Sequence, residues 1–121
     1  LPHSKYVGNT VYSHDFVYKN KRIEVKSKSC TSVPLPHYMA SLNLKKGDHP
    51  DNDIYVFTRV RKDLIKAWVV GWYPTTKLLK KTKFREKGYT FKDGFVTKVS
   101  GHHIPIKKLR PATQLLRGVY K

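Results

Sequence analysis

The segment that decides the fold reads Asp15-Phe16-Val17-Tyr18-Lys19-Asn20-Lys21-Arg22-Ile23-Glu24-Val25-Lys26-Ser27. β-Branched and aromatic residues lie on both sides of a polar break, which is typical of two strands joined by a tight turn. We predict a hairpin with a two-residue loop at Asn20-Lys21. This register places four apolar side chains on one face, which we expect to be the core face: Phe16, Tyr18, Ile23 and Val25.

The opposite face of the predicted hairpin carries Asp15, Glu24 and Lys26. In this register Glu24 is diagonal to Asp15, and diagonal neighbours lie about 7–8 Å apart, so both carboxylates can reach one ion. Such oxygen ligands suit Mg²⁺ or Mn²⁺, and an adjacent lysine can hold a water or stabilise charge on a phosphate. The same residues also allow a second interpretation, in which the acids form ordinary surface salt bridges with Lys26 or Lys28.

The rest of the chain predicts a single domain over residues 1–121, since 121 residues with 39% hydrophobic content support one core. Near-continuous apolar runs at 53–60 and 66–73 indicate strands covered on both faces, with Trp68 and Trp72 in the core. A short helix is predicted at 76–84, a hairpin at 89–99 and a final helix at 111–116. The fold class is therefore α/β, with a mixed central sheet and short flanking helices.

The charge indicates a polyanionic partner, because 25 Lys and Arg residues against 8 Asp and Glu residues give a net charge of +17. No apolar run approaches the roughly 18 residues of a membrane span, so we expect no membrane partner. A single cysteine, Cys30, excludes an internal disulfide and a cysteine-based zinc site. The lysines expected to contact nucleic acid, or in the plainer interpretation to form a solvated surface, are Lys28, Lys77, Lys80, Lys81, Lys83, Lys107 and Lys108.

The hairpin with Asp15 and the later Glu24-Val25-Lys26 resembles the PD-(D/E)XK nuclease superfamily, although His14 stands where the motif has proline. The resemblance implies a restriction-endonuclease-like fold and metal-dependent hydrolysis of DNA. It implies that Asp15, Glu24 and the backbone carbonyl of Val25 bind Mg²⁺ or Mn²⁺, and that Lys26 is catalytic. It also implies a cytoplasmic protein, of prokaryotic or phage origin and not secreted.

The family usually begins with a helix, and nothing before Asp15 reads as helical, while the chain opens at Leu1 without methionine. We therefore expect an upstream helix or a second copy, as in a homodimer, to cover the hairpin. The alternative function is a non-catalytic nucleic-acid-binding module on the same fold; a basic protein held to membranes or ribosomal RNA is a third. Weaker metal candidates are the cluster Asp48, His49, Asp51 and Asp53, and the pair His102 and His103, which we expect in a loop near DNA.

Overall fold

The computed structural model describes residues 15–48 and 50–116, and its larger sheet contains four strands in the order β1-β2-β4-β5. Strands β2 and β4 are parallel, whereas the β1–β2 and β4–β5 pairs are antiparallel. The predicted mixed α/β class is confirmed at this level, with sheet predominating over short helices. The strands are β1 (Phe16–Tyr18), β2 (Lys21–Cys30), β4 (Ile54–Arg61) and β5 (Ala67–Pro74).

The predicted register of the β1–β2 hairpin is wrong by two residues. Phe16 pairs with Ile23 rather than Val25, and the loop is Lys19-Asn20. Both loop residues have positive φ, 49° and 65°, as a type I′ turn requires, and such turns match the right-handed twist of the flanking strands. A shift of two residues preserves the faces, so the acids stay on one side of the hairpin.

The larger sheet buries apolar side chains on both of its faces. On one face Ile23, Ile54 and Trp72 form a cluster against which Leu115 packs. The other face, which also carries Glu24 and Lys26, packs Tyr55 and Phe57 against the second sheet. Strand β1 is not part of either cluster: Phe16 and Tyr18 are 43% and 51% exposed, so their predicted place in the core is wrong.

The second sheet has three antiparallel strands in the order β3-β7-β6, namely β3 (Met39–Leu42), β7 (Gly101–Pro105) and β6 (Lys83–Arg85). Helix α1 (Thr75–Lys81) buries Leu78 completely and ends earlier than predicted, since its last predicted residues form β6. The chain closes with a 3₁₀ turn (Ile106–Lys108) and α2 (Thr113–Leu116). The predicted hairpin at 89–99 forms a short antiparallel turn: Thr90 and Val96 make a bridge, the Phe91 N–H donates to the Phe95 carbonyl over 2.8 Å, and the Thr97 N–H donates to the Tyr89 carbonyl over 2.9 Å.

A bulge in β5 separates the two tryptophans onto opposite faces of the sheet. Trp72 pairs with Val56 and is fully buried, while Trp68 pairs with Arg59 beyond the register shift and is only half-buried. Next to the bulge, Gly71 has a φ of +153°, and a Cβ there would lie 2.5 Å from the Leu109 Cβ. This close approach lets the backbone of Trp72 exchange two hydrogen bonds of 3.0 Å with Arg110, which ties the C-terminal segment to β5.

Across the two described ranges, no helix is both long and apolar enough to cross a membrane.

Candidate metal site and basic clefts

Asp15 lies one residue before β1, and two hydrogen bonds to β2 fix its position. Its backbone N–H donates to the Ile23 carbonyl over 2.7 Å, and its Oδ2 accepts the Val25 N–H over 2.8 Å. The second contact occupies the Val25 amide at the centre of the Glu24-Val25-Lys26 motif. The side chain of Asp15 is thus held against the strand that supplies the other proposed site residues.

The carboxyl of Glu24 meets that of Asp15. Burial, followed by the hydrogen bond that Glu24 donates to Asp15, raises the pKa of Glu24 from 4.5 to about 7. The same hydrogen bond from Glu24 is the main reason that the pKa of Asp15 is lowered. Two carboxyl groups therefore share one proton near neutrality, which is the behaviour of acids that converge on a single point.

Lys26 completes the set on the same face of β2. Its Nζ lies 3.6 Å from Glu24 Oε2, and the lysine side chain is 43% exposed whereas that of Glu24 is 13% exposed. The contact brings the ammonium next to the carboxyl pair while leaving it open to a ligand. The ion pair expected from the salt-bridge interpretation is present, and it is compatible with a metal site because the Lys26 charge remains accessible.

The structure thus brings together all three predicted catalytic side chains. Carboxylates bind metal ions in their deprotonated form. A divalent cation bound between Asp15 and Glu24 would therefore displace the proton that the two side chains share. No set of three or more His, Cys, Asp and Glu side chains converges on a metal position anywhere in 15–48 or 50–116. The Asp15–Glu24 pair accordingly offers two carboxylates, and metal binding by them and by the Val25 carbonyl stays a prediction.

No protein-family model, curated protein or solved structure matches this chain.

A cleft of about 400 Å³ begins at Lys26 and is lined by residues from both sheets. We call it the β2–β4 cleft. Its walls include Lys28, which the sequence singled out, together with Arg59 and Lys98, which it did not. Lys28 lies directly opposite Arg59 in the parallel β2–β4 pairing, and local sequence patterns carry no information about that pairing.

A second cleft, of about 590 Å³, gathers four of the predicted nucleic-acid-binding lysines. Lys81 and Lys83 reach it from the end of α1 and from β6, and Lys107 and Lys108 from the 3₁₀ turn after β7. We call it the β6–β7 cleft. Arg85 lines it beside Tyr89, with the guanidinium carbon 4.5 Å from the ring centroid. Lys77 and Lys80 are exposed on α1 and line neither cleft.

The weaker metal candidates are engaged in structural contacts instead. Asp53 accepts a hydrogen bond of 2.8 Å from the Arg22 N–H, and Asp51 lies 3.8 Å from the guanidinium of the same residue. Asp48 accepts a hydrogen bond of 2.9 Å from the Lys45 N–H, which closes a turn. The contacts of Asp51 and Asp53 with Arg22 tie the loop to β2, and His49 lies outside the described residues.

The expectation that His102 and His103 lie in a loop is wrong, because both belong to β7. His103 is 5% exposed, its Nδ1 lies 2.7 Å from Ser41 Oγ, and burial is the main reason that its pKa is lowered. Nδ1 of His102 lies 3.1 Å from Thr82 Oγ1. His103 lines both clefts, and its Nε2 is buried without a hydrogen-bond partner. It is not part of any cluster of three or more metal-ligating side chains in the described residues.

Proposed function

We propose that this chain is a divalent-metal-dependent nuclease that hydrolyses the phosphodiester bonds of DNA, built on a restriction-endonuclease-like fold. The convergence of the Asp15 and Glu24 carboxyls beside Lys26 carries the proposal. The chain has only 8 Asp and Glu residues against 25 Lys and Arg residues, so two carboxyls placed next to each other, rather than next to basic residues alone, indicate a functional role. The resemblance of the same hairpin to the PD-(D/E)XK nucleases supports the same assignment.

The donor set fits Mg²⁺ or Mn²⁺. Magnesium keeps several of its waters and is commonly bound by one or two protein carboxylates together with substrate phosphates. Asp15 and Glu24 would supply the two carboxylates, and the backbone carbonyl of Val25 a further oxygen. Because the pKa of Glu24 is raised to about 7, the pair retains one proton below that pH and would release it on binding the ion.

The chemistry of such a site divides between the ion and the protein. A bound divalent ion would lower the pKa of a water and stabilise charge on the phosphate. Asp15 and Glu24 would hold the ion on their shared face of β2, and the Val25 N–H fixes the Asp15 carboxylate. Lys26, half-exposed beside Glu24, would place a positive charge against the phosphate oxygens or hold the attacking water.

A cleavage assay tests the proposal. The parent protein is incubated with plasmid and linear DNA in the presence of Mn²⁺ or Mg²⁺, and separately with chelator. We expect nicking that needs the metal and is abolished in Glu24→Ala, Lys26→Ala and Asp15→Asn, while the fold and DNA binding remain nearly intact. Lys46→Ala is the matched control, because Lys46 is an exposed lysine in a turn that lines neither cleft. Equal nicking by the parent and Lys26→Ala would indicate a contaminant and contradict the proposal.

A non-catalytic DNA-binding module on the same fold is the alternative. The ion pair between Glu24 and Lys26 favours it, since an acid neutralised by its own lysine needs no metal. This alternative predicts DNA binding without cleavage by the parent at any metal concentration. We also propose that a second copy of the chain covers the exposed apolar side chains of β1; sedimentation would then show a dimer, and a monomer would contradict this proposal.

A further inference from the structure

The β2–β4 cleft lies next to the proposed metal site and shares Lys26 with it. Lys26 and Lys28 occupy the same face of β2, two residues apart, which corresponds to roughly 6.6 Å along a strand. Arg59 of β4 and Lys98 also line the cleft. A ligand that starts at the carboxyl pair and follows β2 would therefore pass directly into this cleft.

Lys26 is paired with Glu24, but the positive charges of Lys28, Arg59 and Lys98 are not balanced by acids. Lys28 and Arg59 are directly opposite each other in the parallel register, an arrangement of like charges that destabilises a strand pair. Of the carboxylates in 15–48 and 50–116, none lies within 4.0 Å of the charged nitrogens of Lys28, Arg59 or Lys98. A cleft lined by one sign of charge concentrates counter-ions, and here the counter-ion must be an anion.

Arg59 is built into the wall of this cleft. The residue is 7% exposed, its Nη2 donates to the Met39 carbonyl over 2.8 Å, and its guanidinium lies 5.6 Å from the Tyr38 ring centroid. These contacts fix the orientation of the guanidinium without neutralising it. Burial lowers the pKa of Arg59, and burial, followed by the charges of Arg59 and Lys98, lowers the pKa of Lys28. An anion bound between them would reverse these effects.

The aromatic wall adds a second contact for the lysine. Lys28 is exposed, and its Nζ lies 4.5 Å from the Phe95 ring centroid, so the ammonium lies over the ring at the mouth of the cleft. Phe95 in turn packs edge-on against His103, at 6.5 Å between ring centroids. Arg59 and Lys28 are therefore oriented before an anion binds, which lowers the entropic cost of binding.

We propose that the β2–β4 cleft binds a phosphate group of the nucleic-acid strand, next to the phosphate that would lie at Asp15 and Glu24. The inference rests on the proposed function for the identity of the polyanion, but the binding itself needs no metal and no cleavage. The phosphate has two possible sources in a strand: an internal diester, or the phosphomonoester at a strand end. The chemistry that recognises both is the same set of cations, Lys28, Arg59 and Lys98.

The test measures binding of fluorescent oligonucleotides with chelator present, at one fixed ionic strength. The oligonucleotides carry either a terminal phosphate or a terminal hydroxyl, and the proteins are the parent, Lys28→Gln, Lys98→Gln and Lys46→Gln. Lys46→Gln removes the same charge outside both clefts, so it corrects for the general electrostatic contribution.

We expect Lys28→Gln and Lys98→Gln to lose roughly 10-fold or more in affinity relative to Lys46→Gln, as for the loss of a charge-assisted contact. Terminal recognition predicts that the parent prefers the phosphorylated end and that Lys28→Gln removes this preference; recognition of an internal phosphate predicts equal losses for both oligonucleotides. Lys28→Gln should also be at least as stable to denaturant as the parent, because it removes the repulsion from Arg59.

If Lys28→Gln and Lys98→Gln lose no more affinity than Lys46→Gln, the proposal that this cleft binds a phosphate is contradicted, even if the parent cleaves DNA. Conversely, selective losses in the cleft variants with no cleavage by the parent would support the cleft and contradict the nuclease.

Discussion

Replacing Glu24 with glutamine should stabilise the fold at alkaline pH, which is the opposite of what a structural salt bridge predicts. Glutamine has the same shape and its amide can still donate a hydrogen bond to Asp15, but it carries no charge. The native protein holds a proton on Glu24 up to a pKa of about 7, whereas the unfolded chain releases it near 4.5. Between these two values the native state binds more protons, so the free energy of unfolding falls as the pH rises through this window.

The size of the effect follows from the same pKa shift. A change in pKa from 4.5 to about 7 corresponds to an upper limit of roughly 3–4 kcal/mol at 1.36 kcal/mol per unit. Solvent screening of this partly exposed group reduces the expected gain to about 1–2 kcal/mol. Glu24→Gln should therefore be more stable than the parent at about pH 8 by that amount, and equal to it below the unfolded pKa near 4.5.

Urea denaturation of both proteins at several pH values measures this difference. Asp63→Asn is the control, because the hydrogen bond from Arg61 lowers the pKa of this exposed carboxyl, and its neutral variant should gain nothing at alkaline pH. A loss of about 0.2–1 kcal/mol in Glu24→Gln at every pH would show that Glu24 only forms a surface salt bridge with Lys26, and would refute the reasoning.

Three further predictions concern the metal, the nucleic acid and the fold. The affinity for Mn²⁺, measured by calorimetry, should rise about tenfold per pH unit below about pH 7 and level off above it, because Glu24 must lose its proton; a flat profile would exclude Glu24 as a ligand. Affinity for DNA should fall about 10³–10⁵-fold between about 50 and 200 mM salt if six to ten phosphates are contacted, and a weak salt dependence in a titration would remove the polyanion argument. Gly71→Ala should lower the free energy of unfolding by about 1–3 kcal/mol in urea, since its Cβ would lie 2.5 Å from the Leu109 Cβ; an unchanged midpoint would show that the C-terminal segment is not packed on β5.

Period-2 alternation was sufficient to place Glu24 and Lys26 on one face of β2, because a strand turns its side chains regardless of what pairs with it. Alternation could not predict the hairpin register. The register depends on whether the two loop residues are Lys19-Asn20 or Asn20-Lys21, and both choices keep the same faces. The observed turn uses positive φ at Lys19, a conformation for which lysine has no local preference. Because of the two-residue shift, the Asp15 carboxyl accepts the Val25 N–H. In this position it also hydrogen-bonds to the carboxyl of Glu24, which is a closer approach than the predicted diagonal arrangement.

The pairing of β2 with β4 could not be predicted from short-range sequence patterns. The parallel crossover joins residues 31 positions apart, as in the pair Lys28 and Arg59, and no short-range pattern predicts such a contact. For the same reason the sequence identified Lys28 but missed Arg59 and Lys98, which complete the β2–β4 cleft. His103 was misplaced because a His-His pair between Gly101 and Pro105 resembles a loop, whereas tertiary packing makes it the central strand of the second sheet.

The most direct test of the central claim is a titration of the metal-free protein with Mn²⁺ at about pH 8, followed by the electron paramagnetic resonance of free Mn²⁺. If Asp15 and Glu24 form a divalent-metal site, the parent should bind Mn²⁺ at this position, and both Asp15→Asn and Glu24→Gln should lose that binding while remaining folded. Asp51→Asn, in the acidic loop held by Arg22, should bind as the parent does. Identical titrations for the parent, Asp15→Asn and Glu24→Gln would contradict the account.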